Sequence, residues 1–137
     1  MLSFETEVEV KFSEVDSLHI VWHGHYVRYF EDAREGFGKQ YGLHYLEVYQ
    51  KGFVMPIVKL NCDYKRPLVY GDIALVKITY VETEAAKVIF QYEIKKKDTQ
   101  ELIATGETIQ VFLDTNRNLC ITVPDFLSDW KTHYQLK

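Results

Sequence analysis

No stretch of this sequence approaches the roughly 18 consecutive apolar residues that a membrane-spanning helix needs. Cysteine is scarce: Cys62 and Cys120 stand apart, with no C-x-x-C pair to signal a zinc knuckle or a dithiol redox motif. Two reduced, buried thiols of a cytosolic protein are expected. Three prolines and seven glycines are too few for a collagen-like or low-complexity chain. Positive charge is in deficit, because 16 Lys and Arg against 20 Asp and Glu leave a formal net charge of −4. That balance argues against nucleic-acid binding through the phosphate backbone. There is no P-loop, no G-x-G-x-x-G and no G-x-S-x-G nucleophile elbow. The N-terminal segment alternates charged and apolar residues without the basic start and apolar run of a signal peptide, so a cytoplasmic location is expected.

What the chain has is core-forming material. Its 137 residues are 47% hydrophobic and 15% aromatic, enough to fold and too short for two ordinary cores, so one domain over 1–137 is expected. Ten tyrosines among the aromatics suggest more half-polar surface than one small core uses.

The patterning sets an order of elements. Phe4, Thr6, Val8, Val10 and Phe12 alternate with Glu5, Glu7, Glu9 and Lys11, which predicts a half-buried strand over 4–12. From His25 the period changes: Tyr26, Tyr29, Phe30, Ala33, Phe37 and Tyr41 form a helical stripe, with Gly42 as its stop and a shorter helix over 44–50. Strands follow over 53–64, 72–82, 87–96 and 101–113, joined by connections so short that successive strands are expected to be antiparallel neighbours. The strand over 72–82 reads as apolar on nearly both faces. One helix covers only one face, so a loop layer or a second subunit is expected on the other. The tail predicts a short helix with Pro124 in its first turn. One strand, one long helix and four antiparallel strands make an α+β fold, a five-stranded sheet wrapped around a central helix.

Candidate chemistry concentrates between the first strand and the long helix. Asp16 is the only carboxylate between Glu14 and Glu31, and apolar Leu18, Ile20, Val21 and Trp22 follow it. Partial burial there would raise its basicity and suit it to general-base work, while an Asx-turn is the bland alternative. His19, His23 and His25 lack an H-E-x-x-H arrangement and Gly24 interrupts the local helix, so no metal site is expected. His23 is more useful at the helix start, where unpaired backbone N–H groups can meet an oxyanion. The aromatic stripe reads as core, with a share available to line a pocket. Lys95, Lys96 and Lys97, with Lys65, Arg66 and Arg117, could meet a phosphate-bearing ligand or form a solvated edge.

The run from Glu14 to Tyr26 resembles the D-x-x-G-x-V-x-[HNY]-x-x-Y signature of hotdog-fold acyl-CoA thioesterases of the 4-hydroxybenzoyl-CoA thioesterase type, and Tyr29 to Arg34 is similar to that family's helix. Met55 to Asp72, with Tyr64, Pro67, Gly71 and Asp72, resembles its second strand and Tyr-x-x-Pro-x-x-x-Gly-Asp turn, and the resemblance covers most of 5–113. It implies an acyl-CoA thioester hydrolase with no cofactor, coenzyme A being part of the substrate. Asp16 stands at the family's catalytic carboxylate, as general base or nucleophile, and backbone N–H groups near His23 and Gly24 polarise the thioester carbonyl. Trp22, Gly24 and Tyr26 would bind substrate together with Val58, Lys59 and Leu60 of a second subunit, in a homodimer or homotetramer. An acyl carrier protein thioesterase and a non-catalytic acyl-binding subunit are the alternatives. His19 stands where the signature has glycine. This predicts a differently shaped loop and a histidine that reaches the pocket to alter substrate choice or tune Asp16.

Overall fold

The computed structural model describes residues 1–137, and its elements follow the predicted order: β1 (Ser3–Glu9), α1 (His25–Tyr41), α2 (Tyr45–Gln50), β2 (Ile57–Tyr64), β3 (Ile73–Val81), β4 (Lys87–Lys96), β5 (Leu102–Val111) and α3 (Asp125–His133). The five strands form one antiparallel sheet in the order β1-β3-β4-β5-β2. α1 lies against the concave face with its stripe of Tyr26, Tyr29, Phe30, Ala33 and Phe37 fully buried. These side chains meet the inward-facing Ala74, Val76, Ile78 and Tyr80 of β3 and Val88, Phe90, Tyr92 and Ile94 of β4 in a single apolar cluster. Gly106 on β5 is required by the closest contact: a Cβ there would come within 2.5 Å of the Phe30 ring. No helix is long and apolar enough to cross a membrane.

Five expectations need correction. β1 stops at Glu9, and Phe12, expected on the buried face, is 75% exposed. The partner strand ends there: Glu9 is opposite Ile73, the first residue of β3, and the chain then turns through a 3₁₀ segment, Phe12–Glu14. β2 starts at Ile57, not 53, since Pro56 cannot donate to a ladder and a bulge interrupts pairing between Ile57 and Lys59. Pro124 precedes α3 as its N-cap, one position earlier than expected.

The fourth correction concerns the sheet. β2 and β3 are antiparallel but not neighbours, for β2 pairs with β5 and β3 lies between β1 and β4. A short link forces opposite direction, not adjacency. Residues 65–72 reach about 26 Å when extended, while three strand spacings need only about 14 Å. The link is held on its way by the Lys65 and Arg66 N–H groups on the Ile103 carbonyl and by the fully buried Leu68. The outer face of the sheet is also not the apolar surface expected. Its centre carries Lys77, Thr79, Gln91, Glu93, Thr105 and Glu107, and no layer of this chain covers it.

Candidate active site

The loop before α1 is closed by its own backbone. Val15 and Val21 form an isolated antiparallel bridge, and between them Asp16 N–H donates to the Ile20 carbonyl (2.9 Å) and His19 N–H to the Asp16 carbonyl (2.9 Å). The Asp16 side chain makes the Asx-turn: Leu18 N–H donates to Oδ1 at 2.8 Å. That bond occupies one oxygen, and Oδ2 accepts none from the protein. Asp16 is partly buried, as expected. The turn therefore aims the carboxylate without consuming it.

His19 overturns an expectation. Its φ of 66° is the left-handed conformation that the signature's glycine would adopt, so the loop keeps the backbone shape that a glycine suggests and the histidine carries the strain. Its side chain is exposed.

Glu14 is a structural contributor that sequence reasoning passed over. Only 3% exposed, it accepts the Lys11 N–H through Oε1 at 2.8 Å and lies 3.8 Å from the Arg28 guanidinium, while its backbone carbonyl accepts the Trp22 N–H. The loop is thereby tied to both the end of β1 and the first turns of α1. Burial, then the neighbouring Glu14 carboxylate, pushes the Tyr29 hydroxyl well above its ordinary range, keeping it protonated. The only sequence signal for Glu14 is its place three residues after Lys11, where the alternation of β1 breaks.

Trp22, His23 and Gly24 come together at the start of α1. Gly24 is the N-cap and has no side chain to answer the first helical N–H groups. The His25 N–H is taken by the Trp22 carbonyl at 3.0 Å, but the N–H groups of His23 and Gly24 donate to no protein group. The Trp22 indole lies over Gly24 so closely that a Cβ would fall 2.1 Å from its ring. Tyr64, from the end of β2, completes the cluster: its hydroxyl donates to the His23 carbonyl at 2.7 Å, and its ring is edge-on to Tyr26 and His23, with centroids 5.0 and 6.4 Å away. Tyr26 itself is 2% exposed, with its hydroxyl toward the Leu68 backbone, so its side chain belongs to the core and only its main chain faces the helix start.

Val58, Lys59 and Leu60 are not brought to this cluster within the chain. Leu60 lies opposite the inward-facing Thr108, Lys59 opposite Ile109 on the other face, and Val58 in the bulge, all three exposed on the free edge strand. The basic residues do not converge either. Lys95, Lys96 and Lys97 pair with Glu93, Asp72 and Glu7, and Arg66 pairs with Glu101.

A cavity of about 640 Å³ lies further along α1, between that helix, α2 and the segment before β2. Phe37, Leu43, Val48, Met55 and Phe90 give it an apolar interior, and Arg28, Glu31, Asp32 and Glu35 are among its charged lining. Desolvation and the neighbouring Glu35 push the Asp32 carboxyl up from its ordinary value. Asp16, Trp22, His23 and Gly24 do not line it, so in one chain the candidate acid–base group and this cavity are separate.

Comparison with known proteins agrees with this architecture. The family model of the thioesterase-like superfamily matches residues 10–131. The chain is 30% identical over 129 residues to the putative acyl-CoA thioesterase YneP of Bacillus subtilis (strain 168), covering 94% of this chain and 93% of that protein. It is 29% identical over 130 residues to the chloroplastic acyl-acyl carrier protein thioesterase ATL3 of Arabidopsis thaliana, covering 95% of this chain and 68% of that one. Among solved structures, a DHNA-CoA thioesterase from Staphylococcus aureus superposes with a TM-score of 0.86 at 26% identity, covering 98% of this chain and 90% of its own. With its five-stranded antiparallel sheet around one long helix, the chain is a hotdog-fold protein that belongs to the thioesterase-like superfamily, a family of thioester hydrolases.

Proposed function

We propose that this protein is a cytoplasmic acyl-CoA thioester hydrolase that works as a homodimer or a dimer of dimers. One observation carries the reading: a single short loop presents a carboxylate oxygen without a partner, Asp16 Oδ2, and leads into backbone N–H groups without acceptors at the start of α1. Thioester hydrolysis needs those two things. A carboxylate activates water or attacks the carbonyl carbon, and aligned donors stabilise the oxyanion that forms. The first contributes about 10²–10⁴-fold and a single oxyanion donor about 10²–10³-fold. The positive end of the α1 dipole favours the same negative charge. The substrate supplies the coenzyme A, and no further cofactor has a role.

The free edge of β2 supports the dimer. That edge is unpaired, and Val58 (60% exposed), Leu60 (39%) and Tyr64 (49%) stand along it. A two-fold contact through one strand edge pairs that strand antiparallel with itself. The Ile57 end of β2 then meets the Tyr64 end of its copy. The cavity beside Met55 and Pro56 would face the partner's Gly24, and Val58 and Leu60 would line the junction. Two protomers thus join what one chain keeps apart, an apolar cavity for the acyl group and a catalytic loop.

The test is Asp16→Asn on a panel of short, long and aromatic acyl-CoA esters, with thiol release as the readout. Wild-type rates in the variant would remove Asp16 from the mechanism, and an inactive wild type across the panel would favour an acyl-binding subunit instead. Single turnover in H₂¹⁸O tests the nucleophile role, because the label enters the Asp16 carboxylate only when water cleaves an acyl–Asp16 anhydride at the aspartyl carbon. The second reading, hydrolysis of acyl groups borne on acyl carrier protein, is favoured by the similarity to the Arabidopsis protein. Presenting one acyl group on both carriers decides between them.

A further inference from the structure

Tyr64 joins the edge strand to the helix start through one hydrogen bond, from its hydroxyl to the His23 carbonyl at 2.7 Å, between residues 41 apart in sequence. The His23 carbonyl and the Gly24 N–H belong to the same planar peptide unit. Being trans, the two groups point in opposite directions. A carbonyl held toward β2 therefore turns the Gly24 N–H away from β2, and no protein group accepts from it there.

We propose that Tyr64 is a positioning residue for thioester hydrolysis: by holding the His23 carbonyl it orients and polarises the His23–Gly24 peptide, so that the Gly24 N–H serves as an oxyanion donor. This rests on the reading of the α1 start as the oxyanion site. Three further observations agree. The Trp22 ring closes over Gly24 from another side, leaving no room for a side chain that would let the peptide settle differently. The Tyr64 ring is fixed edge-on between His23 and Tyr26, which limits the swing of its hydroxyl. Burial and the adjacent Cys62 push that hydroxyl up to about 12, so it stays a donor through the neutral and mildly alkaline range. A hydrogen bond to the carbonyl of a peptide also strengthens the donor at its other end, by about a tenth to a third.

Tyr64→Phe removes the hydroxyl and keeps the ring. Its kcat is expected to fall roughly three- to tenfold, the equivalent of one neutral hydrogen bond, with KM within about twofold. The Gly24 cross-peak in the ¹H–¹⁵N spectrum of the full-length protein is expected to move more than those of the other six glycines. Unchanged kcat in an active enzyme, a fall in kcat matched by a changed KM and a lowered Tm, or an unmoved Gly24 signal would each overturn the assignment. Asp16→Asn run beside it keeps the two readings separate. If Asp16→Asn loses activity while Tyr64→Phe keeps it, Tyr64 has no such role and the thioesterase reading stands. A wild type inactive toward every acyl thioester tested overturns both.

Discussion

The two ends of α1 are built on opposite principles. At its C-terminus the chain answers the Gly38 and Tyr41 carbonyls: Gly42 takes φ 79° and donates to the Gly38 carbonyl, the Leu43 N–H joins it, and the Trp130 indole donates to the Tyr41 carbonyl at 2.6 Å. The Tyr41 hydroxyl donates in turn to the Ser3 carbonyl, and the Tyr134 ring packs against Tyr41. At its N-terminus no side chain caps the helix, N–H groups are left without acceptors, and Trp22 and His23 stand exposed. The closed end spends its polar groups on stability. The open end keeps them for a ligand, which is where strain at His19 and unpaired donors are tolerated.

Breaking the open end is expected to have the largest effect on activity and little on folding. Asp16→Asn should lower kcat by about 10²–10⁴-fold with Tm unchanged, since an amide oxygen can still accept the Leu18 N–H; thiol release and thermal melting read the two separately. Breaking the closed end should do the reverse. Trp130→Ala removes a buried indole and leaves the Tyr41 carbonyl unanswered, at a cost of about 3–5 kcal/mol in urea unfolding, with activity per folded molecule retained.

Gly24→Ala probes the open end by shape alone. The added methyl group would collide with the Trp22 ring, and the resulting shift of the helix start should lower kcat/KM about 10²-fold. Trp22→Ala in the same chain should recover part of that loss.

The tyrosines of the closed end set an alkaline limit. Burial, with Glu82 nearby, pushes the Tyr80 hydroxyl up to about 12, while in the unfolded chain it ionises near 10. A raised folded value means that its stabilising contribution is complete below pH 10 and is lost as pH rises from 10 toward 12. Urea midpoints measured across that interval should fall steadily, and a flat profile would contradict the burial argument.

The smallest effect is expected at His19. His19→Gly relieves a left-handed side-chain residue but adds freedom to the unfolded chain, for a net gain of about 0.5 kcal/mol. Because the imidazole is exposed in this structure, substrate profile and pH dependence should not change; a changed profile would restore the expectation that His19 reaches the pocket.

Much of the fold was legible from periodicity. The α1 stripe and the bounds of β4 match their patterns because both are set by short-range repeats that the core enforces. β1 failed at its end for the complementary reason. Its alternation continues to Phe12, but a strand lasts only as long as its partner, and β3 begins opposite Glu9. In the candidate site, Asp16, Trp22, His23 and Gly24 were legible as one dense segment. Glu14 was not, since its burial depends on Arg28 and Tyr29 arriving beside it from α1. Tyr64 was legible as the end of a strand and the start of a turn motif but not as a partner of His23, and that bond exists because β5 holds β2 across from the helix start.

By itself, the sequence determined the class and order of elements and the segment that carries the chemistry, because hydrophobic period and local turn chemistry act over a few residues. Tertiary structure alone decided which strands are neighbours, which face of β2 each residue takes, and that the Gly24 N–H is aimed by a tyrosine 40 residues away. Those outcomes depend on contacts between distant segments, and only packing around α1 brings them within reach.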